Sequence, residues 1–214
     1  MKSIFQCVIP RIGFSMFDIA IFIPAAGASK RMKGADKLLI RIDDCPILKR
    51  QTEMAISTGA KVVVSLPLNR PGRQAALRGL EGLTILEVKD HEEGMSASMR
   101  EAAKWAMLNV ALGMMVLLPD MPELETGDLN KIISAFLTDT SHVCRACDEN
   151  GRPGHPVFIP ARLLTALGET TGDDGGRGII ASENIRLIPL PGKRATTDLD
   201  TPDEWTAWLK RHRR

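Results

Sequence analysis

Two kinds of apolar pattern alternate along the chain. Short, nearly continuous apolar runs bounded by Gly, Pro or Asp read as buried strands. They predict strands over residues 18–24, 61–66, 83–88, 114–119, 141–147, 156–160 and 185–190. Segments with helix start and stop signals lie between them. These predict helices over residues 46–57, 73–79, 96–111, 128–137, 161–167, 176–182 and 202–211. The first half reads βαβαβαβ, which implies a mainly parallel sheet covered by helices on both faces. The second half breaks that rhythm. Two apolar stretches between Val143 and Ile159 flank Asp148-Glu149-Asn150-Gly151-Arg152-Pro153-Gly154, a dense turn signal that predicts a hairpin.

Composition narrows this to one α/β domain. A chain of 214 residues can build a substantial single core, and no internal repeat or low-complexity linker divides it. Residues 16–214 form the expected domain. Residues 1–15 mix Lys2, Arg11 and Pro10 with a short apolar stretch, too interrupted for a membrane span and without a cleavage site. The expectation is that translation begins at or near Met16, or that the extension is a loosely held tail. The formal net charge is +2, with 28 basic and 26 acidic residues interspersed, so the chain lacks the character of a nucleic-acid binder. Four cysteines make no disulfide framework, and a cytoplasmic setting is expected. Cys144 and Cys147 form a lone CxxC whose odd spacing in a strand places the thiols on opposite faces, wrong for chelation. The basic run Lys210-Arg211-His212-Arg213-Arg214 suits a helix C-terminus.

Local charge is more telling than net charge. The first strand runs into Ala25-Ala26-Gly27-Ala28-Ser29, which has almost no side-chain bulk, and then into Lys30, Arg31, Lys33 and Lys37. Ligands of open α/β sheets bind outside the carboxyl ends of the strands. A small-residue loop there lets backbone N–H groups approach an anion, and the cations that follow neutralise it. The layout suits a polyphosphate; a basic surface loop is the alternative.

Other groups could face the same crevice. Asp120 ends the run Met114 to Pro119, where a carboxylate can hold Mg²⁺ together with substrate phosphates, or simply cap a turn. Asp198 and Asp200 share one face if extended and could complete a metal site with Asp120. Thr201, Pro202 and Glu204 are expected to cap the last helix. Ser96 and Ser98 open the helix after Gly94; either suits an N-cap, and both suit a helix N-terminus turned toward a ligand. Two further loops carry chemistry-bearing groups, Gly154-His155-Pro156 and the run from Gly172 through Asp173 and Asp174 to Arg177. No GxxxxGK[ST], no GxGxxG after the first strand and no nucleophile elbow occur, which removes P-loop, dinucleotide-oxidoreductase and α/β-hydrolase readings.

Taken together, PAAGASKRMKGADKLL (24–39), GMSASMR (94–100), LPDMP (118–122), GHP (154–156), GDDGGR (172–177) and DLDTPDEW (198–205) resemble the nucleotidyltransferase family that includes the molybdenum cofactor cytidylyltransferases. The stretches are collinear and span almost the whole chain after Met16. The resemblance implies a Rossmann-like, three-layer, glycosyltransferase-A type fold with a mainly parallel mixed sheet. It implies Mg²⁺-dependent transfer of a nucleoside monophosphate to a phosphate-bearing acceptor such as molybdenum cofactor, with pyrophosphate released. Ala25, Ala26, Gly27, Ala28, Ser29, Arg31 and Lys37 would hold the triphosphate, Ser96 and Ser98 the nucleoside, and His155, Asp173 and Arg177 the acceptor. Arg31, Lys37 and Asp120 would carry catalysis, with metal on Asp120 and on Asp198 or Asp200. The Ala25-Ala26 pair resembles the cytidylyl branch, so CTP is the favoured donor, although Asp36-Lys37 also occurs in guanylyl relatives. Pro24, and the spacing of Lys33-Gly34-Ala35-Asp36 before Lys37, depart from the family pattern. Alternatives are a guanylyl- or sugar-phosphate nucleotidyltransferase, or a non-catalytic adaptor passing molybdenum cofactor to a molybdenum hydroxylase. No membrane or nucleic-acid partner is implied.

Overall fold

Alternation along the first strand decides the layers. The computed structural model describes residues 18–27, 32, 35–89, 93–171 and 176–212. Strand β1 (Ala20–Pro24) is buried along its whole length. Ile19, Ile21 and Ile23 enter one apolar cluster, and Ala20 and Phe22 enter another on the opposite face, as the two-residue period of a strand requires. A strand covered on both faces is apolar at every position, which is why this one reads as a continuous run.

Seven strands form one sheet. In addition to β1 these are β4 (Lys61–Pro67), β5 (Leu83–Val88), β6 (Gly113–Val116), β7 (Val143–Cys147), β8 (Pro153–Pro160) and β9 (Ile185–Pro189), in the order β5-β4-β1-β6-β8-β7-β9. The first four in that order are parallel. β8 runs antiparallel to β6 and β7, and β9 is parallel to β7. All seven predicted strands are present, as is the hairpin. Helices α1 (Ile47–Ile56), α2 (Pro71–Leu77) and α4 (Thr126–Thr138) cover one face, and their Leu48, Ala55, Leu77, Leu129, Ile132, Ile133 and Phe136 pack on the first cluster. Helix α3 (Met95–Leu108) and the short α5 (Leu164–Leu167) cover the other through Met99, Ala102, Ala103, Ala106, Leu164 and Leu167. Phe136 stacks on Phe158 with ring centroids 3.9 Å apart.

The departures from expectation are local. A small hairpin, β2 (Arg41–Ile42) with β3 (Cys45–Pro46), was not expected; strands of two residues carry no readable period, and its turn rests on the positive φ of Asp43 and Asp44. Strand β6 ends at Val116 rather than Pro119: Leu117 still donates its N–H to Phe22 O at 2.9 Å, after which Pro119 has no donor to continue the ladder. Neither serine caps α3. The N-cap is Gly94, at φ 81, a left-handed conformation that glycine adopts freely, so the helix begins before Ser96. After the short α6 (Arg177–Ala181), the last helix, α7 (Pro202–His212), is capped as predicted: Glu204 Oε2 accepts from Thr201 N at 2.9 Å and Thr201 Oγ1 accepts from Glu204 N at 3.3 Å.

Candidate functional site

The strand order changes direction at β1, with β4 on one side and β6 on the other. Open α/β sheets bind ligands at such a point, beyond the strand ends. Ala25 follows β1 there and donates its N–H to Ser65 O at 3.1 Å. Ala25 and Ala26 are buried and Gly27 is exposed. Ala26 packs with Val88 and Ala97 in a small cluster of its own, which brings the loop against the ends of β5 and α3. Ala28, Ser29, Lys30, Arg31, Lys33 and Asp173, with residues 1–15, lie outside the described residues.

Lys37 sits on a single 3-10 turn, Lys37–Leu39. Its Nζ lies 2.5 Å from Asp120 Oδ2 and 2.8 Å from Asp200 Oδ1. Burial works to lower the Lys37 pKa; the charge and hydrogen bond of Asp120, joined by those of Asp200, outweigh it and hold the ammonium above its ordinary value. Two carboxylates about eighty positions apart in sequence meet because Leu199 N donates to Asp120 O at 3.1 Å and Trp205 Nε1 donates to Leu199 O at 3.1 Å. Leu199, Trp205 and Trp208 in turn pack with Met32, Ile42 and Ile47, so α7 fixes the segment that carries Asp200.

Asp120 Oδ1 is buried and has no hydrogen-bond partner among the described residues. Asp198 is exposed, and its charge is felt at His155. Among the described residues no three of His, Cys, Asp and Glu gather into a metal-binding group; Asp120 and Asp200 are a pair, and Asp198 does not join them. The Cys144 and Cys147 thiols are buried, which raises both pKa values and favours the protonated form over the thiolate a metal needs.

Sequence reasoning passed over Arg73. The guanidinium is 0% exposed, with Nε 2.7 Å from Asp36 Oδ2 and Nη2 2.9 Å from Asp36 Oδ1. Nη1 donates to Ala25 O at 2.6 Å and to Gly27 O at 2.7 Å. The available signal was its place four residues before the buried Leu77 on the inner face of α2, where a charge demands a partner.

Ser96 and Ser98 are buried in the first turns of α3, and Ser96 Oγ lies 3.4 Å from Thr171 O. Beyond them, on the other side of β6, a cavity of about 440 Å³ is walled by apolar side chains, with Met95, Met99 and Leu118 among them, and holds Arg145, His155 and Arg177. No acidic side chain lines it among the described residues. Arg145 was also missed by sequence reasoning, because a lone charge within a strand has no local signature. Its Nε donates to Gly154 O at 2.9 Å, and burial followed by the charge of Arg177 lowers its pKa. The His155 pKa is pushed down to about 4, by burial first and then by Arg145, against a backbone hydrogen bond to Val116 and the charge of Asp198. The ring is therefore neutral near pH 7, with Nδ1 buried and without a partner among the described residues. Gly154 is required beside it: a Cβ there would lie 1.8 Å from Ala195 O, the carbonyl that accepts from His155 N at 2.8 Å.

A family model described as the MobA-like NTP transferase domain matches residues 21–187. No curated protein matches the chain in sequence. Among solved structures, the Rv0371c homolog from Mycobacterium sp. strain JC1 is 25% identical, with a TM-score of 0.75 over 91% of this chain and 96% of that one. Rv0371c from Mycobacterium tuberculosis H37Rv, solved as a complex with manganese, is 23% identical, with a TM-score of 0.67 over 90% and 98% of the two chains. CMP:2-keto-3-deoxy-manno-octonic acid synthetase complexed with CTP is 16% identical, with a TM-score of 0.69 over 91% and 100%. These likenesses agree with the Rossmann-like, three-layer fold. Among the described residues no helix is long and apolar enough to cross a membrane.

Proposed function

The chain belongs to the family of MobA-like NTP transferase domains and is a nucleotidyltransferase, and we propose that it transfers CMP from CTP to a phosphate-bearing acceptor of the molybdopterin type. The acceptor phosphate oxygen attacks the α-phosphorus, the bond from that phosphorus to the bridging oxygen breaks, and pyrophosphate leaves. The observation that carries this reading is Lys37 Nζ held between Asp120 and Asp200 beside the loop that follows β1. A permanently charged ammonium there can neutralise charge that develops on the reacting phosphate. A phosphomonoester is already largely ionised at neutral pH, its second pKa being about 6, so the attacking oxygen needs no general base. The neutral, buried His155 can then serve as a hydrogen-bonding wall of the acceptor pocket.

Mg²⁺ fits the acid pair. Asp120 Oδ1 is buried without a partner, and Asp120 Oδ2 and Asp200 Oδ1 already converge on a cation. Carboxylates with substrate phosphates are a usual Mg²⁺ set. When bound, the ion supplies Lewis-acid neutralisation of phosphate charge. The manganese in the complex with Rv0371c makes Mn²⁺ a second metal to try.

Two observations support the finer choices. Ala26 is buried between Val88 and Ala97, where a methyl group narrows the space beside the nucleotide and favours a pyrimidine. The second cavity offers guanidiniums and an apolar wall, which suits an anionic acceptor with an apolar body better than a polyhydroxy sugar phosphate. A carrier that never turned over would not need Lys37 and both acids, so catalysis is favoured over the adaptor reading. The test is a thermal-shift screen of CTP, GTP, ATP and UTP with Mg²⁺ or Mn²⁺, followed by pyrophosphate release with molybdopterin and with sugar phosphates. CTP should stabilise most, and molybdopterin should release pyrophosphate. A GTP preference would overturn the base assignment, and absence of pyrophosphate release with every pair would overturn the reaction.

A further inference from the structure

Arg73 is the largest fully buried side chain of the protein among the described residues. Burial of a guanidinium is costly unless it is paired and hydrogen-bonded, and an apolar side chain in its place is often neutral or stabilising for a fold. Stability alone is therefore a poor account of it. The four hydrogen bonds it makes to Asp36, Ala25 and Gly27 account for it better.

One edge of the guanidinium grips Asp36 through both carboxylate oxygens, at 2.7 and 2.9 Å. Asp36 is the residue before Lys37, and its Oδ1 also accepts from Leu38 N at 3.1 Å, which caps the turn that carries Lys37. The remaining nitrogen, Nη1, draws in the carbonyls of Ala25 and Gly27. A trans peptide is planar with its C=O and N–H opposed, and Ala25-Ala26 is trans. The carbonyl that faces Arg73 therefore turns the Ala26 N–H away from the buried cation. One side chain thus orients the small-residue loop and sets the base of Lys37 relative to it.

We infer that Arg73 is a positioning residue for triphosphate binding: through Ala25 and Gly27 it holds the loop N–H groups in register for the β- and γ-phosphates, and through Asp36 it sets Lys37 for the reacting phosphate, without touching the nucleotide. This rests on the nucleotidyltransferase reading. Its effect falls on the triphosphate more than on the nucleoside, because Arg73 orients backbone carbonyls of the loop and not the Ala26 methyl group, which packs on Val88 and Ala97.

The test compares CTP with CMP, each with Mg²⁺, by calorimetry on the full chain. Arg73→Lys keeps a charge opposite Asp36 but cannot make the bidentate pair and reach two carbonyls at once. CTP affinity should fall about 10- to 100-fold, the worth of one or two charge-assisted hydrogen bonds, while CMP affinity changes by less than about threefold. A merely structural role would lower the active fraction and leave both dissociation constants unchanged. Asp36→Asn is the second variant: its single amide oxygen can keep the bonds that Oδ1 makes to Leu38 N and Arg73 Nη2, the bond to Arg73 Nε is lost, and it should show the same CTP-selective loss at smaller size. If Arg73→Lys does not fold, Asp36→Asn decides. Wild-type CTP affinity in a folded variant, or equal losses for CTP and CMP, overturns the inference. A wild-type protein that binds neither nucleotide overturns instead the reading beneath it.

Discussion

The two sides of the crevice handle charge in opposite ways. On the β4-β1 side, cations are matched by acids from the same chain: Lys37 lies between Asp120 and Asp200, and Arg73 is clasped by Asp36. On the β8-β7 side, Arg145 and Arg177 share an apolar cavity with a neutral His155, and no acid lines that cavity among the described residues. Internal pairing fixes geometry before a substrate arrives, which favours catalysis by preorganised charge. Cations left facing a cavity instead select an incoming anion. On this comparison we propose that the first side performs the transfer and the second chooses what receives it.

The hardest blow to the comparison comes from the paired side. Lys37→Ala or Asp120→Ala removes one member of the cluster and should lower turnover by ~10²-fold or more, equivalent to ~3 kcal/mol of transition-state stabilisation. The fold should survive, because the Lys37 and Asp120 side chains retain 19% and 11% exposure. Pyrophosphate release at close to the wild-type rate in either folded variant would show that the internal pairs are structural.

The acceptor side should declare itself first in acid. The His155 pKa is about 4 in the folded chain, against about 6.5 when unfolded. Above pH ~6.5 the ring is neutral in both states; as pH falls below that, the unfolded chain takes up the proton and the folded chain does not, so stability is lost until pH ~4. At pH 5 the deficit should reach about 2 kcal/mol. Arg145 and Arg177 oppose protonation and Asp198 favours it. Denaturant unfolding at pH 7 and pH 5, for the wild type and for His155→Gln, isolates this ring. If the two proteins lose the same stability on acidification, His155 is not a buried neutral group.

The difference between the two sides also explains what could be read from the sequence. Strand runs were legible because burial on both faces leaves an unbroken apolar signature, and the loop that begins at Ala25 was legible because its small residues are contiguous. Asp120 and Asp200 were visible as chemistry at a strand tip and beside a helix cap, although only the Leu199 N–H to Asp120 O bond, with Trp205 holding Leu199 from behind, brings their segments together. Arg73 and Arg145 stayed hidden because their partners, Asp36 and the Gly154 carbonyl, are set by tertiary contact. The expected serine cap failed because the backbone conformation of Gly94 competes with side-chain capping and leaves no sequence mark beyond the glycine itself.

A gentler probe sharpens the contrast from the open side. Arg145→Gln and Arg177→Gln each remove a cation from the cavity without disturbing Lys37 or its acids. Loss of one charge-assisted hydrogen bond should raise KM for the acceptor about 20-fold, with KM for CTP unchanged. Steady-state kinetics with each substrate varied in turn reads this directly. A matching rise in KM for CTP would mean that the cavity belongs to the donor and that the two sides are one site.

The smallest change tests where the paired side ends. Ala26 is 2% exposed and meets Val88 and Ala97, all of them apolar, so no hydrogen bond in this cluster reads the base. Discrimination there rests on volume. Volume is a weak discriminator, worth about tenfold per methyl group. Ala26→Gly should therefore raise the kcat/KM ratio of GTP to CTP by about tenfold at most while leaving the rate with CTP within about threefold. The Ala25 and Gly27 carbonyls stay available to Arg73, so the CTP-over-CMP affinity difference should persist. An unchanged nucleotide ratio would move base selection away from this contact and toward Ser96 and Ser98, whose hydroxyls can read a base edge where a methyl group cannot.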